Sequence, residues 1–207
     1  MRAFLTAVVV AVAGLLSGGV ASAQDASPER PVLVEVTGDD VNLRAGPTVD
    51  HHDVGQAQRG DLLVAVGRDG EFRRVRVPGG AVAYVFSTLV EWTEGAVWAT
   101  VRTDDVLLRA TPSQAYFPFH DQRLARGERM AVLGTEEGED GRWLRVLAPE
   151  RIHVWVHNRF TKDVGFADGL RTRVDQAARR REDALSGGRI RAAREEAEAA
   201  RRRDVEA

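Results

Sequence analysis

The side chains that could carry chemistry are few and scattered along the chain. His51-His52-Asp53 is the densest group of potential metal ligands. Adjacent side chains in a loop diverge, and no third or fourth ligand stands at a fixed spacing, so we expect no metal site. Glu136-Glu137 and Glu139-Asp140 are more typical of solvated turn charges than of a general acid/base couple. The chain has no cysteine, which excludes thiol nucleophiles. We therefore expect neither an enzyme nor a cofactor.

The first 23 residues are typical of a secretory signal peptide. Arg2 supplies the positive charge, Ala3 to Leu16 the apolar stretch, and Ala21-Ser22-Ala23 the cleavage pattern before Gln24. An uncleaved membrane anchor is the alternative, but the apolar stretch is shorter than the roughly 20 residues of a spanning helix. We expect a periplasmic or secreted protein that is free of the membrane after cleavage, with a linker over 24–31.

The overall charge argues against nucleic acid as a partner. The sequence has 29 Lys and Arg residues against 31 Asp and Glu residues, for a formal net charge of −2. Nucleic-acid binding normally needs a clustered basic field, and a near-neutral balance does not indicate one.

The remaining chain contains the same unit twice, over 32–92 and 97–164. The aligned segments are VNLRAGP (41–47) with VLLRATP (106–112), QRGDLLVAVG (58–67) with ARGERMAVLG (125–134), EFRRVRVP (71–78) with RWLRVLAP (142–149), and AYVFSTLV (83–90) with VWVHNRFT (154–161). The offset grows from 65 to 71 along the alignment, so insertions fall between the matched segments. This pattern is typical of a tandem duplication, because loops tolerate length changes better than strands do.

Each copy has the pattern of an all-β domain. Val32, Val34 and Val36 alternate with other residues, as expected of a half-buried strand. Arg59-Gly60-Asp61 spells an adhesion tripeptide, but the second copy has Arg126-Gly127-Glu128 at the same place, and a turn between strands explains both. Four or five short strands in about 60 residues favour a small closed barrel.

The series VNLRAGP, RGDLLVAVG, EFRRVRVPGG and AYVFSTLVE resembles the bacterial SH3-type (SH3b) domain. The second copy resembles it with departures: Leu107 replaces Asn42, and Thr111 replaces Gly46, so that its first turn lacks the backbone freedom of glycine. The predicted fold is mainly β, with two tandem small SH3-like β-barrels followed by an α-helical C-terminal tail. The resemblance implies a non-catalytic module that recognises cell-wall peptide or an envelope protein.

Aromatic side chains are the candidate ligand-binding residues. Ligand grooves of SH3b domains are lined by aromatics beside the long loop that follows the R-x-G-P turn. By position, the resemblance implies Tyr84 with Phe72 in the first copy, and Trp155 with Trp143 and Tyr116 in the second. The alternative for Phe72 and Trp143 is a place in the barrel core. Val85 and Val156 point the other way along their strands, so we expect both in the core.

Residues 168–207 form a segment of different composition, rich in Ala, Arg and Glu, with a break at Ser186-Gly187-Gly188. Such residues favour helix, and the charges of both signs suit a solvated helical tail. A tail that binds a partner or self-associates is the alternative, although its apolar stripe is thin for a coiled coil. In that case the protein would be a structural or assembly scaffold of the cell envelope.

Overall fold

The computed structural model describes residues 30–115 and 118–206. The predicted signal peptide over 1–23 and the candidate Tyr116 lie outside the described residues. Within them the chain forms fourteen strands and two α-helices. The strands are β1 (Val32–Val36), β2 (Val41–Arg44), β3 (Asp53–Ala57), β4 (Leu62–Asp69), β5 (Phe72–Arg76), β6 (Val82–Phe86), β7 (Val90–Glu91), β8 (Trp98–Val101), β9 (Val106–Arg109), β10 (Pro118–Leu124), β11 (Arg129–Gly138), β12 (Gly141–Leu147), β13 (His153–His157) and β14 (Thr161–Phe166). The helices are α1 (Arg171–Ser186) and α2 (Arg189–Glu206).

The strands pair antiparallel in two seven-stranded sheets. Sheet A has the order β14-β1-β4-β5-β13-β2-β3, and sheet B has the order β10-β9-β6-β12-β11-β8-β7. The mainly β fold and the helical C-terminal segment are therefore confirmed, while the number of closed barrels stays a prediction. No helix in the described part of the chain has the length and apolar character needed to cross a membrane.

The two copies of the repeat exchange their last strands. Sheet A combines β1 to β5 of the first copy with β13 and β14 of the second, and sheet B combines β8 to β12 with β6 and β7 of the first. In register, Trp155 lies opposite Arg74 in sheet A, and Tyr84 lies opposite Arg145 in sheet B. Residues 32–92 and 97–164 are thus copies at the level of sequence, whereas each sheet is built from both.

The exchange requires two connecting segments, 77–81 and 148–152, to pass each other between the sheets. The backbone N–H of Ala148 donates to the carbonyl of Ala81 at 2.8 Å. Gly80 has φ +93°, and a Cβ there would lie 2.4 Å from the carbonyl oxygen of Ala148. The crossing point therefore has no room for a side chain at Gly80.

Most of the buried apolar side chains form one continuous cluster that includes residues of both sheets. Val85 and Val156 are fully buried in it, which confirms the alternation expected for their strands. Because Val85 lies on β6 and Val156 on β13, each copy contributes core residues to the sheet that holds most of the other copy.

The Arg-Gly-Asp tripeptide lies in a turn, as its counterpart does. Gly60 and Gly127 have φ values of +86° and +85°. The carboxylate of Asp61 accepts from the backbone N–H of Gln58 at 2.8 Å, and that of Glu128 accepts from Ala125 N–H at 2.8 Å. Both carboxylates therefore stabilise the turn.

The C-terminal helices dock on the sheets, which corrects the expectation of a solvated tail. Ile190 is fully buried and packs with Ala131 and Leu147 of sheet B. Arg181 Nε donates to the carbonyl of Gly80 at 3.3 Å, so α1 covers the crossing point. Gly187 ends α1 in the left-handed conformation, at φ +59°, and allows α2 to turn back. The helices are held in place because their few apolar side chains pack against the sheets.

We expect a cysteine pair to report the strand exchange directly, since the chain has no native cysteine. Arg76 lies opposite His153 in sheet A, so Arg76→Cys with His153→Cys will form a disulfide within one chain. In the matched control, Arg76→Cys with Val82→Cys, the two positions would pair only if each copy kept its own strand. Non-reducing electrophoresis with mass measurement distinguishes the two. A disulfide in the control pair alone would contradict the exchange.

Gly80→Ala will destabilise the protein more than Gly95→Ala. Both glycines have positive φ (+93° and +83°), so both variants carry a backbone cost on the order of 1 kcal/mol. A Cβ at Gly95 meets nothing within 4 Å, whereas at Gly80 it meets the opposite crossing segment. We expect an additional loss of about 1–3 kcal/mol at Gly80. Chemical denaturation measures both, and equal losses would show that the crossing point is not tightly packed.

Candidate ligand grooves

Two surface grooves, one on each sheet, are lined by aligned residues of the repeat. We define groove 1 by Asp40, Val41, Arg44, Phe72, His157 and Phe160. We define groove 2 by the aligned residues Asp105, Val106, Arg109, Trp143, Phe86 and Leu89. Their volumes are similar, at about 270 and 310 Å³. The same groove has thus formed twice, although the side chains that line it differ.

Both grooves are composite, because the exchanged strands bring one wall from each copy. In groove 1, Phe72 comes from β5 of the first copy, and His157 ends β13 of the second. In groove 2, Trp143 comes from β12 of the second copy, and Phe86 ends β6 of the first. Neither copy could build its groove alone in this arrangement.

Groove 1 has an aromatic wall with a polar group in the middle. The ring centroids of Phe72 and His157 are 5.2 Å apart, and those of His157 and Phe160 are 6.0 Å apart. The guanidinium of Arg159 lies over the Phe160 ring at 4.4 Å. Val49, which is 67% exposed, also lines the groove. The groove therefore offers apolar faces and a hydrogen-bonding imidazole together.

Groove 2 is more apolar at the aligned positions. Phe86 meets Trp143 edge to face, with ring centroids 5.1 Å apart. Trp143 is 2% exposed, and its indole Nε1 is buried without a hydrogen-bond partner. Leu89 stands where groove 1 has Phe160. An unpaired buried donor is uncommon in folded proteins, because it costs free energy, and here it lies beneath the groove floor.

Arg44 holds the loop that forms one side of groove 1. Its guanidinium Nη1 lies 2.9 Å from the carboxylate of Asp53 and donates to the backbone carbonyls of Val49 and His51. In groove 2 the aligned Arg109 is partly buried, and burial and then the charge of Arg123 lower its pKa. The first arginine is therefore neutralised by an acid, while the second lies beside another cation.

The turn that leads into each groove is the same in both copies. Asp40 and Asp105 have φ values of +51° and +59°, and they are the two non-glycine residues with positive φ in the described chain. Aspartate tolerates this left-handed conformation better than most residues do. The agreement shows that the groove geometry repeats down to single backbone conformations.

The structure places the four described ligand-binding candidates in two different environments. Phe72 and Trp143 line grooves 1 and 2, and at 7% and 2% exposure they are also buried. Tyr84 and Trp155 lie outside both grooves, one outward position before Phe86 and His157 on the same strands. Tyr116 lies outside the described residues.

The strand exchange separates the predicted partners. Tyr84 was expected beside Phe72, but Tyr84 lies in sheet B and Phe72 in sheet A. Trp155 was expected beside Trp143, but Trp155 lies in sheet A and Trp143 in sheet B. The sequence argument assumed that each copy keeps its own last strand, and the ladders β5–β13 and β12–β6 reverse that pairing.

Tyr84 and Trp155 each have arginines as cross-strand neighbours. The hydroxyl of Tyr84 donates to Glu136 Oε1 at 3.0 Å, and burial together with this bond raises the pKa of Tyr84. Trp155, 6% exposed, lies opposite Arg44 and Arg74 in the ladders. These two aromatic side chains therefore belong to polar surroundings rather than to the groove walls.

None of the groove residues that the exchanged strands contribute was among the predicted site residues: Phe86, Leu89, His157 and Phe160. The alternation along β6 and β13 could have indicated Phe86 and His157, because they share the outward face with Tyr84 and Trp155. Leu89 and Phe160 end short 3₁₀ turns, for which the sequence pattern gives no comparable signal. Among the described residues no three His, Asp or Glu side chains come together to hold a metal ion.

Comparison with known families places part of the chain in a class. Residues 39–91 match the model of the bacterial SH3 domain. The match covers the first copy, and with the strands exchanged it includes β2 to β5 of sheet A and β6 and β7 of sheet B. No curated protein and no solved structure matches the chain. Bacterial SH3 domains are binding modules, often for cell-wall or protein partners.

The pH dependence of stability will report the surroundings of His153, which lies near Trp155. Burial, and then the charges of Arg74, Arg76 and Arg151, lower the pKa of His153 from 6.5 to about 4. Because the folded-state pKa is depressed, this contribution to stability is complete above pH 6.5 and is lost as the pH falls toward 4.

We therefore expect the wild type to lose more stability between pH 7 and pH 4 than His153→Gln does. His153 is only partly buried and is screened by solvent, so we expect a difference on the order of 1 kcal/mol, well below the limit for a fully buried group. Denaturation curves at several pH values measure it. Parallel pH profiles for the two proteins would contradict the depressed pKa.

Proposed function

We propose that the protein is an exported, non-catalytic binding module of the cell envelope, which recognises cell-wall peptide or an envelope protein through grooves 1 and 2. The observation that carries this proposal is the recurrence of one aromatic groove at aligned positions in both copies. A groove that formed by accident of packing would not be expected to repeat through strands exchanged between copies. The proposed export rests on the signal-peptide pattern of residues 1–23.

The chemistry of the grooves suits an extended peptide segment. Aromatic faces give large contact area at low entropic cost, and they accept apolar side chains as well as backbone. At about 270 and 310 Å³, each groove accommodates a few residues of a peptide and not a large folded partner. Since one continuous core holds both sheets, the grooves keep a fixed spacing, and a ligand that reached both would gain avidity.

The alternative, a scaffold that acts through the tail, has one supporting feature. Beyond Ile190, α2 is almost entirely exposed. The apolar residues that could drive self-association are used within the chain, however, because Ile190 is buried and Leu185 packs against the same cluster. What remains exposed is a charged helix, which supports the grooves over the tail as the principal binding surface.

Co-sedimentation with purified cell-wall sacculi tests the proposal. We expect mature 24–207 to sediment with sacculi at low and high salt, since apolar contacts resist screening. Phe160→Ala in groove 1 and Phe86→Ala in groove 2 will each weaken binding several-fold. Phe166→Ala is the matched control: Phe166 is 51% exposed on β14 and lies outside both grooves. Thermal unfolding confirms that each variant is folded.

The outcomes separate the candidate partners and surfaces. Absence of sedimentation at every salt concentration would overturn the wall proposal and leave an envelope protein as the ligand. Equal losses in all three phenylalanine variants would show that the grooves are not the binding surface. If Tyr84→Phe or Trp155→Phe lost binding while Phe86→Ala and Phe160→Ala bound as wild type does, the binding site would be the residues that the sequence indicated and not the grooves.

A further inference from the structure

A cleft larger than either groove lies apart from both of them. We call it the arginine cleft and define it by Arg68, Arg74, Arg123, Arg151, His153 and Trp155. Its volume is about 790 Å³, more than twice that of either groove. It lies between the β4–β5 hairpin of sheet A and two parts of the second copy, strand β10 and the crossing segment 148–152.

The charge of this cleft is strongly unbalanced. Four arginines line it against one acid, Asp69. Arg151 is paired with Glu128 at 2.5 Å, but Arg68, Arg74 and Arg123 have no ion pair with any residue that the structure describes. Three guanidinium groups in one concave surface, none of them paired with a described acid, produce a positive field that attracts anions.

Two groups beside the cleft, Arg76 and His153, bear on its charge. Arg76, beside the cleft, has a buried Nε without a hydrogen-bond partner. Burial first, and then the charges of Arg74, Arg76 and Arg151, lower the pKa of His153 and so keep its imidazole uncharged at neutral pH. The side-chain amide of Gln122 donates to the His153 carbonyl and accepts from the His153 N–H, which fixes the backbone at this position. Because the imidazole is neutral, the arginines alone carry the positive charge of the cleft. The imidazole can still donate a hydrogen bond.

The cleft is formed only once, although its sheet is repeated. In sheet B the residue aligned with Trp155 is Tyr84, which donates to Glu136. Thr135 stands where sheet A has Arg68, and Val82 where it has His153. The arginine cleft is therefore a feature of sheet A together with the second copy, and the duplication alone does not account for it.

We propose that the arginine cleft binds an oxyanion, a phosphate or carboxylate group, held by Arg74 and Arg123 with Trp155 as the apolar wall. The planar guanidinium group donates two parallel hydrogen bonds to such an anion, which a single ammonium group does not. An anion would also supply a counterion to Arg68, Arg74 and Arg123, which have no ion pair among the described residues. This site is independent of the grooves, so either proposal can fail without the other.

Calorimetric titration of mature 24–207 at constant ionic strength tests the site, with inorganic phosphate and tricarballylate as the two probes. We expect one of them to bind, and Arg74→Gln and Arg123→Gln each to raise its dissociation constant about tenfold, the loss typical of one charged hydrogen-bonded partner. Arg202→Gln, in the exposed part of α2, makes the same charge change outside the cleft and will bind as wild type does. Binding of phosphate alone or tricarballylate alone identifies the type of anion.

A second measurement distinguishes a bound anion from a structural effect of the substitutions. In the NMR titration of His153, the bound anion will raise the pKa of the imidazole from about 4 toward its ordinary value, because it opposes the arginine charges. Failure of both probes to bind the wild type would overturn the proposal. So would equal weakening in Arg202→Gln, or binding that leaves the His153 titration unchanged.

Discussion

The pairing of β5 with β13 and of β12 with β6 is the constraint on which the rest of the structure depends. These two ladders join the first copy of the repeat to the second, so neither sheet is complete without both. They place Val156 and Val85 in the core beside residues of the other copy, and they oblige the segments 77–81 and 148–152 to cross. The grooves also depend on these two ladders, because each groove has one wall from each copy.

The sequence predicted β structure in both copies, but it indicated four or five strands in each where the structure has seven. It also could not predict which strands pair. Alternating apolar residues indicate which face of a strand is buried, and Val85 and Val156 lie as expected. β6 and β13 are aligned copies, however, so either could complete either sheet with the same alternation. The choice depends on the crossing segments and on the docked helices, which are non-local contacts. For the same reason Phe72 and Trp143 were recognisable as candidates, while their partners His157 and Phe86 were not.

Two local features, at Gly46 and Ile190, depend on contacts that the local sequence pattern does not indicate. Gly46 was attributed to backbone freedom, yet its φ is not positive. A Cβ at Gly46 would lie 2.1 Å from the His51 ring, so the glycine is needed for close approach. Ile190 is a single apolar residue in a charged segment, which gives no signal of burial, and it nevertheless anchors the tail. Both depend on what the fold brings near them.

The differences between the grooves carry more information about the ligand than their likeness does. The shared Asp40 and Asp105 turns and the shared aromatic floor give both grooves the same shape. His157 makes one wall hydrogen-bonding where Phe86 makes the other apolar, so the two do not favour the same side chains. A continuous core also fixes their separation. A ligand that presented two unlike features at that separation would therefore be preferred over one that repeats a single short motif, since only the former satisfies both grooves at once.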